Sequence, residues 1–201
     1  MKKTIGLCAI LAGMALQGYA AGPQKIRIVI DAAHGGTDAG AVSAAGDKES
    51  ELTLQLARAL EAEAKARHIA VIQTRSTANA APGLEERAAQ TAEPGVKTVL
   101  VSLHANYSLT NAGQKGIEVY YYKDNASGNQ SEWLAKKLEK SLTGIASVKT
   151  AEKSLVVLRK SQVPAVTIEA GYLSNAEDLA NLKNKDYQKK LASLIINAVL
   201  D

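Results

Sequence analysis

Thiols are almost missing from this chain. Its 201 residues include one cysteine, Cys8, which lies in an N-terminal apolar stretch. A chain processed beyond that point has no disulfide, no thiolate nucleophile and no sulfur ligand for a metal. Any metal must then be held by histidine and carboxylate. Long hydrophobic runs are missing too: the stretch from Ile5 to Leu16 falls short of the roughly 20 residues that cross a bilayer as a helix. There is no HExxH helix, the common two-histidine zinc motif. Internal repeats, low-complexity tracts and linkers are absent beyond the N-terminal segment. Nor is there a large charge excess. Lys and Arg number 24 against 20 Asp and Glu, and residues 1–20 hold two of those lysines and no acid. The surplus left is too small for a nucleic-acid footprint.

The N-terminus has its own pattern. Met1-Lys2-Lys3 precedes the apolar run, and Gln17-Gly18-Tyr19-Ala20-Ala21 follows it. A basic end, a short apolar core and small residues at a cleavage point read as a secretory signal peptide, cut after Ala20. Gly6-Leu7 ahead of Cys8 fits a lipobox poorly, so lipidation is not expected. Residues 21–201 then form one domain, and a content of 46% hydrophobic and 22% charged residues suits a folded globular core.

Within that domain apolar strands alternate with amphipathic helices, which predicts an α/β fold with a central, mostly parallel sheet flanked by helices. The run ending in Ile28-Val29-Ile30-Asp31 reads as the first strand, delivering Ala32-Ala33-His34 onto Gly35-Gly36. Ser50 is a candidate cap for a helix reaching about Arg67, because Leu52, Leu56 and Leu60 recur at helical spacing. Further strands are expected at Ile69–Thr74, Val96–Leu103, Gly116–Tyr122 and Ala165–Glu169, with a short one near Leu155–Leu158. A helix near Leu84–Thr91 carries Arg87. Trp133, Leu134, Leu138 and Leu142 give another helix its apolar face. Asn175 is placed to cap a short helix with Asp178 three residues on, and Tyr187, Leu191, Leu194, Ile195 and Ala198 line the last one.

Three groups of one chemistry stand at strand ends: His34, His104 and Glu169. A fourth, Glu49, stands at a helix entrance. Strand ends of a parallel sheet converge on one rim, where distant residues meet. Two imidazoles and one carboxylate around an open fourth position make a catalytic zinc site, and the remaining carboxylate becomes a candidate general base.

The residues around these positions carry a resemblance. Asp31-Ala-Ala-His-Gly-Gly-Thr-Asp-Ala-Gly, then Glu49, Thr74-Arg75, Arg87, Ser102-Leu-His-Ala-Asn, Gly116-Ile-Glu-Val-Tyr-Tyr and Val157-Leu-Arg…Pro164-Ala-Val-Thr-Ile-Glu-Ala-Gly-Tyr-Leu-Ser-Asn resemble, in family order, the zinc-dependent N-acetylmuramoyl-L-alanine amidases. The likeness runs from about Ile26 to the C-terminus. It implies one zinc ion held by His34, Glu49 and His104, with Glu169 as the catalytic glutamate. It also implies cleavage of the amide between the lactyl group of N-acetylmuramic acid and L-alanine, with peptidoglycan as the partner. Ala32-Ala33 stand where family members often have Pro-Gly, and no acid follows Thr74-Arg75 at Ser76-Thr77-Ala78-Asn79. The loop between His104 and Glu169 lacks the long insert of regulated members, so an open site is expected.

Plainer readings attach to the other polar residues. His68, at a helix-to-strand junction, is expected on the surface. Arg75 and Arg87 fit ion pairs as well as substrate contacts. Asn106 and Asn175 fit turns or caps. Lys136, Lys137 and Lys140 read as a solvated helix face. The expectation is an exported, monomeric zinc hydrolase working in the periplasm or outside the cell. A zinc peptidase cutting within the stem peptide, or a wall-binding protein on the same scaffold, is the alternative.

Overall fold

The computed structural model describes residues 25–89 and 92–201. The expected signal peptide and Cys8 lie outside these residues. β1 (Lys25–Ala32) leads to α1 (Glu49–Ala66), β2 (Ala70–Gln73), α2 (Leu84–Ala88) and β3 (Val96–Asn106). β4 (Ile117–Tyr121), α3 (Gly128–Leu142), β5 (Val148–Glu152) and α4 (Val156–Lys160) follow. The chain closes with β6 (Ala165–Tyr172), α5 (Ala176–Lys183) and α6 (Lys185–Leu200). The strands form one sheet in the order β2-β1-β3-β6-β4-β5. Only the β4–β6 pair is antiparallel. The fold is the single α/β domain expected, with the β-branched runs of β1, β3 and β6 buried at its centre.

Alternation along the strands sorts the side chains onto two unlike faces. Ile28, Ile30, Val99, Val101, Leu103, Val166 and Ile168 pack beneath α1, α3 and α6 in the main core. The other face has a smaller apolar cluster of Val29, Leu100, Tyr120, Val157, Leu158 and Ala165. It is polar elsewhere. There Asp31, fully enclosed, accepts hydrogen bonds from Ser102 Oγ at 2.6 Å and Thr74 Oγ1 at 2.7 Å. His104 and Glu169 lie on this thinly covered face, inside β3 and β6 and not at their ends as expected, while His34 follows β1 and Glu49 begins α1.

Three local readings change. Leu155–Leu158 is not a strand: Val156–Lys160 is helical, and Val157 and Leu158 fill the smaller cluster. A four-residue apolar run such as Leu155–Leu158 cannot tell a buried helical turn from a strand by period alone. The neighbouring strand is Val148–Glu152, whose alternation carries lysine and glutamate because it is the sheet edge. Lys48, not Ser50, is the N-cap of α1, and no side chain caps it; Ser50 lies inside the first turn. Trp133 leaves the core face of α3. Leu134, Ala135, Leu138 and Leu142 are buried, whereas Trp133 is 46% exposed with Lys137 Nζ 4.5 Å from its ring centroid. Asn175 does cap α5, accepting from the N–H groups of Glu177 and Asp178. His68 is exposed at the turn after α1, with φ +57°.

This division predicts unequal costs for two truncations on one helix. Leu138→Ala, at a fully buried position, should lower the unfolding free energy by about 2–5 kcal/mol. Trp133→Ala should cost less than about 1 kcal/mol. Urea melts of the two variants check this, and equal losses would contradict the assignment of faces.

Candidate metal centre

His34 closes β1 in an unusual backbone conformation. Its φ is +61°, a left-handed geometry that costs a non-glycine residue about 1–2 kcal/mol. Neighbours hold it there. Arg87 Nη2 donates to the His34 carbonyl at 3.2 Å, and Arg75 donates to the carbonyls of Ala32 at 2.9 Å and Ala33 at 2.8 Å. Arg75 also reaches the Ser50 carbonyl at 2.7 Å, tying the end of β1 to the first turn of α1. Both arginines are buried. Arg75 is therefore a clamp on backbone carbonyls, neither ion pair nor substrate contact. Arg87 also grips backbone carbonyls, those of Pro82 and His34, and in addition forms the expected ion pair, its Nε 3.9 Å from Asp31 Oδ1.

The turn aims the imidazole inward. Asp38 Oδ2 accepts from His34 Nδ1 at 2.8 Å, which leaves Nε2 facing Glu49 Oε2 at 3.1 Å. Glu49, first residue of α1 and 5% exposed, also has His104 Nδ1 at 3.0 Å from Oε1. Two backbone N–H groups complete its surroundings, Ala41 to Oε2 at 3.0 Å and Ala105 to Oε1 at 3.2 Å. The imidazole rings stand edge to face at 5.4 Å. Gly40 is what lets the loop come so near. At φ +65°, a Cβ there would lie 2.6 Å from both Glu49 Oε2 and His34 Cδ2.

Charge and burial oppose one another here. Burial pushes the Glu49 carboxyl up, but hydrogen bonds from His104, His34 and the Ala41 N–H outweigh it and hold the group well below the usual carboxylate range. The hydrogen bond to Glu49, with Asp38 assisting and burial opposing, lifts His34 to about 9. The three groups offer donor atoms all within 4.8 Å of one another. Tetrahedral N/O ligation at about 2.0–2.1 Å sets donors about 3.3 Å apart, a spacing that small side-chain rotations reach from donors within 4.8 Å of one another. Two imidazoles and one carboxylate thus fit a divalent ion with an open position.

Glu169 stands beside this group. On β3 and β6 it is the register partner of His104, and on β4 its partner is Glu118, so the three share one face. Burial raises the Glu169 carboxyl to about 7; His104 opposes the rise, and the charges of Glu49 and Glu118 add to it. Glu118 accepts hydrogen bonds from Asn106 Nδ2 at 3.0 Å and from the Tyr120 hydroxyl.

Residues 28–201 match the family model described as N-acetylmuramoyl-L-alanine amidase. The chain belongs to that family. The Bacillus subtilis protein YqiI is 30% identical over 203 residues, covering 98% of this chain and 95% of YqiI. "Probable cell wall amidase LytH" of Staphylococcus aureus is 30% identical over 86% of this chain, and the chain spans 56% of LytH. The crystal structure of an N-acetylmuramoyl-L-alanine amidase from Clostridium difficile 630 superposes with a TM-score of 0.79 at 29% identity, covering 89% of this chain and 96% of that one.

In this amidase the fold brings together all four residues singled out from sequence, His34, Glu49 and His104 as one cluster with Glu169 next to it. Three further participants were not singled out. Asp38 follows His34 by four residues within the His-Gly-Gly turn, a spacing that could have marked it as the imidazole's orienter. Glu118, an acid in an otherwise aromatic and β-branched strand, was a second visible signal. Gly40 gave none beyond a loop composition.

Two outcomes follow for metal binding. Asp38→Asn should weaken zinc affinity about 10–100-fold while leaving the fold intact, since an orienting partner of a liganding histidine has that weight. With His34 raised to about 9, metal must displace its proton at neutral pH, so affinity should rise from pH 6 to 9 and binding should release a proton. Titration calorimetry at pH 7 in buffers of different ionisation enthalpy measures this; no proton release would contradict the arrangement.

Proposed function

We propose that the protein is an exported, zinc-dependent N-acetylmuramoyl-L-alanine amidase. Its substrate would be peptidoglycan, cut between the lactyl group of N-acetylmuramic acid and L-alanine. The observation that carries this is the cluster of His34, Glu49 and His104 with the raised carboxyl of Glu169 one strand away. His34, Glu49 and His104 would hold the ion. Bound there, zinc supplies Lewis acidity toward a carbonyl and toward water.

The chain's own residues account for the proton traffic. Glu169, raised to about 7, suits a group that takes a proton from attacking water and returns it to the departing alanine nitrogen. An amine leaves poorly as an anion, so that return is the demanding half. Asp38 keeps His34 Nε2 turned toward the centre, while the Ala41 and Ala105 N–H groups fix Glu49. Residues 1–20 would act as the cleaved signal, consistent with work outside the cytoplasmic membrane. No helix among the described residues is long and apolar enough to cross a membrane. We take the working form to be a monomer.

Digestion of purified peptidoglycan, read by mass spectrometry, tests the reading. Intact stems bearing a free N-terminal alanine should appear, vanish with a chelator and return with zinc. Shortened stems would assign a peptidase instead. Glu169→Gln should lower kcat/KM by about 10²–10⁴-fold, the usual weight of a general acid–base group, with zinc content unchanged. His104→Ala should lose both zinc and activity.

A further inference from the structure

A cleft of about 790 Å³ opens along β4 and β5 at the sheet edge, lined by Glu118, Tyr120, Glu139, Lys149, Lys153 and Tyr172 among others, and it meets the proposed centre through Glu118, the register partner of Glu169. Strand register fixes how it relates to Glu169. His104 pairs with Glu169, Glu169 with Glu118, and Glu118 with Lys149. These four positions form a row across one face of the sheet, perpendicular to the strands. With strands about 4.8 Å apart, Lys149 stands about 10 Å from Glu169 along that row. Lys153 follows β5 directly, and its ammonium lies 3.6 Å from the ring centroid of Tyr120, whose hydroxyl donates to Glu118.

The two lysines are the cations of this cleft. Neither forms an ion pair among the described residues, while Lys115, Lys123, Lys136 and Lys183 all do. Lysine on an edge strand also discourages edge-to-edge pairing, which accounts for Lys149. It does not account for Lys153, which lies past the strand end and is held over the cleft by an aromatic ring.

Direction comes from the chemistry. A proton returned by Glu169 must reach the departing nitrogen, so the leaving peptide lies on the Glu169 side of the ligand cluster. Continuing along the row carries it over Glu118 and Tyr120 toward Lys153 and Lys149. A carboxylate on the second residue of that peptide lies within about 7 Å of the alanine nitrogen, and a lysine side chain spans the remaining gap. Resting on the amidase reading above, we propose that this cleft receives the leaving peptide. Lys153, with Lys149 at its rim, binds a free carboxylate on the second stem residue. The enzyme therefore prefers stems that are acidic at that residue over stems amidated there.

A matched pair of synthetic N-acetylmuramoyl tripeptides tests this, differing only in whether the second stem residue carries a free α-carboxylate or a carboxamide. The wild-type enzyme should cleave the acid roughly tenfold more efficiently, mainly through KM, the weight of one charge-assisted contact. Lys153→Met should bring the ratio close to one, and Lys153→Arg should keep most of it. Calorimetric titration of chelator-treated protein with the two released tripeptides should show the acid binding more tightly, an advantage lost in Lys153→Met. Equal cleavage of the pair by wild type, or a ratio unchanged in Lys153→Met, overturns the proposal and leaves the amidase reading standing. Release of the intact tripeptide from neither substrate overturns the amidase reading, and the peptide titration then decides the cleft separately.

Discussion

A charged carboxylate sealed in a protein must be matched on every side, and Glu49 is the place where this fold meets that demand. Its two oxygens face two imidazoles and two backbone N–H groups contributed by three separate segments: the loop before α1, the turn after β1 and the end of β3. An unpaired buried charge costs several kcal/mol, so each segment is obliged to reach the same point. The loop manages it because Gly40 has no side chain. The proton held by His34 supplies positive charge beside it. The donor atoms of His34, Glu49 and His104 already lie within 4.8 Å of one another, so the demand of one buried carboxylate gathers the groups that could hold a divalent ion.

The sheet acts as a ruler for the rest of the site. Neighbouring strands in register, parallel or antiparallel, put side chains on the same face about 4.8 Å apart, and the row from His104 through Glu169 and Glu118 to Lys149 follows from that spacing and the strand register. Two acids side by side under partial burial repel, which is part of why Glu169 retains its proton at higher pH than an ordinary glutamate. The antiparallel turn of β4 matters here: it sets Glu118 opposite Glu169 and opens the cleft toward the sheet edge. A face bearing so many charges cannot also be a thick hydrophobic layer. The main core accordingly lies on the opposite side, beneath α1, α3 and α6, so stability and chemistry draw on opposite faces of the same strands.

The sequence carried the architecture and the four principal residues because both depend on local signals. β-branched runs marked β1, β3 and β6, and the ordered motif blocks placed His34, Glu49, His104 and Glu169. What escaped depended on contacts between distant segments. Arg75 appears in sequence as a bare cation, and nothing local says that its guanidinium meets four backbone carbonyls, those of Ala32, Ala33, Ser50 and Thr77. The weak edge strand Val148–Glu152 pairs only with β4, and its alternation carries no apolar excess to announce it. Trp133 shows the reverse failure: helical spacing puts it next to the core stripe, but a position one step off that stripe faces solvent whatever its hydrophobicity.

His34 shows how these constraints combine. Its left-handed backbone is unfavourable by itself, and a loop free to relax would give it up. The buried guanidinium of Arg87 on its carbonyl, the Arg75 clamp on the two residues before it and the Asp38 carboxylate on its ring each remove one way of relaxing. The strained turn is therefore held by interactions outside the ligand cluster itself. The replacement of Pro-Gly by Ala32-Ala33 before the histidine is tolerable for the same reason. The conformation is fixed from the side-chain side, so the stiffness of the preceding two residues matters less than the arginine that grips their carbonyls.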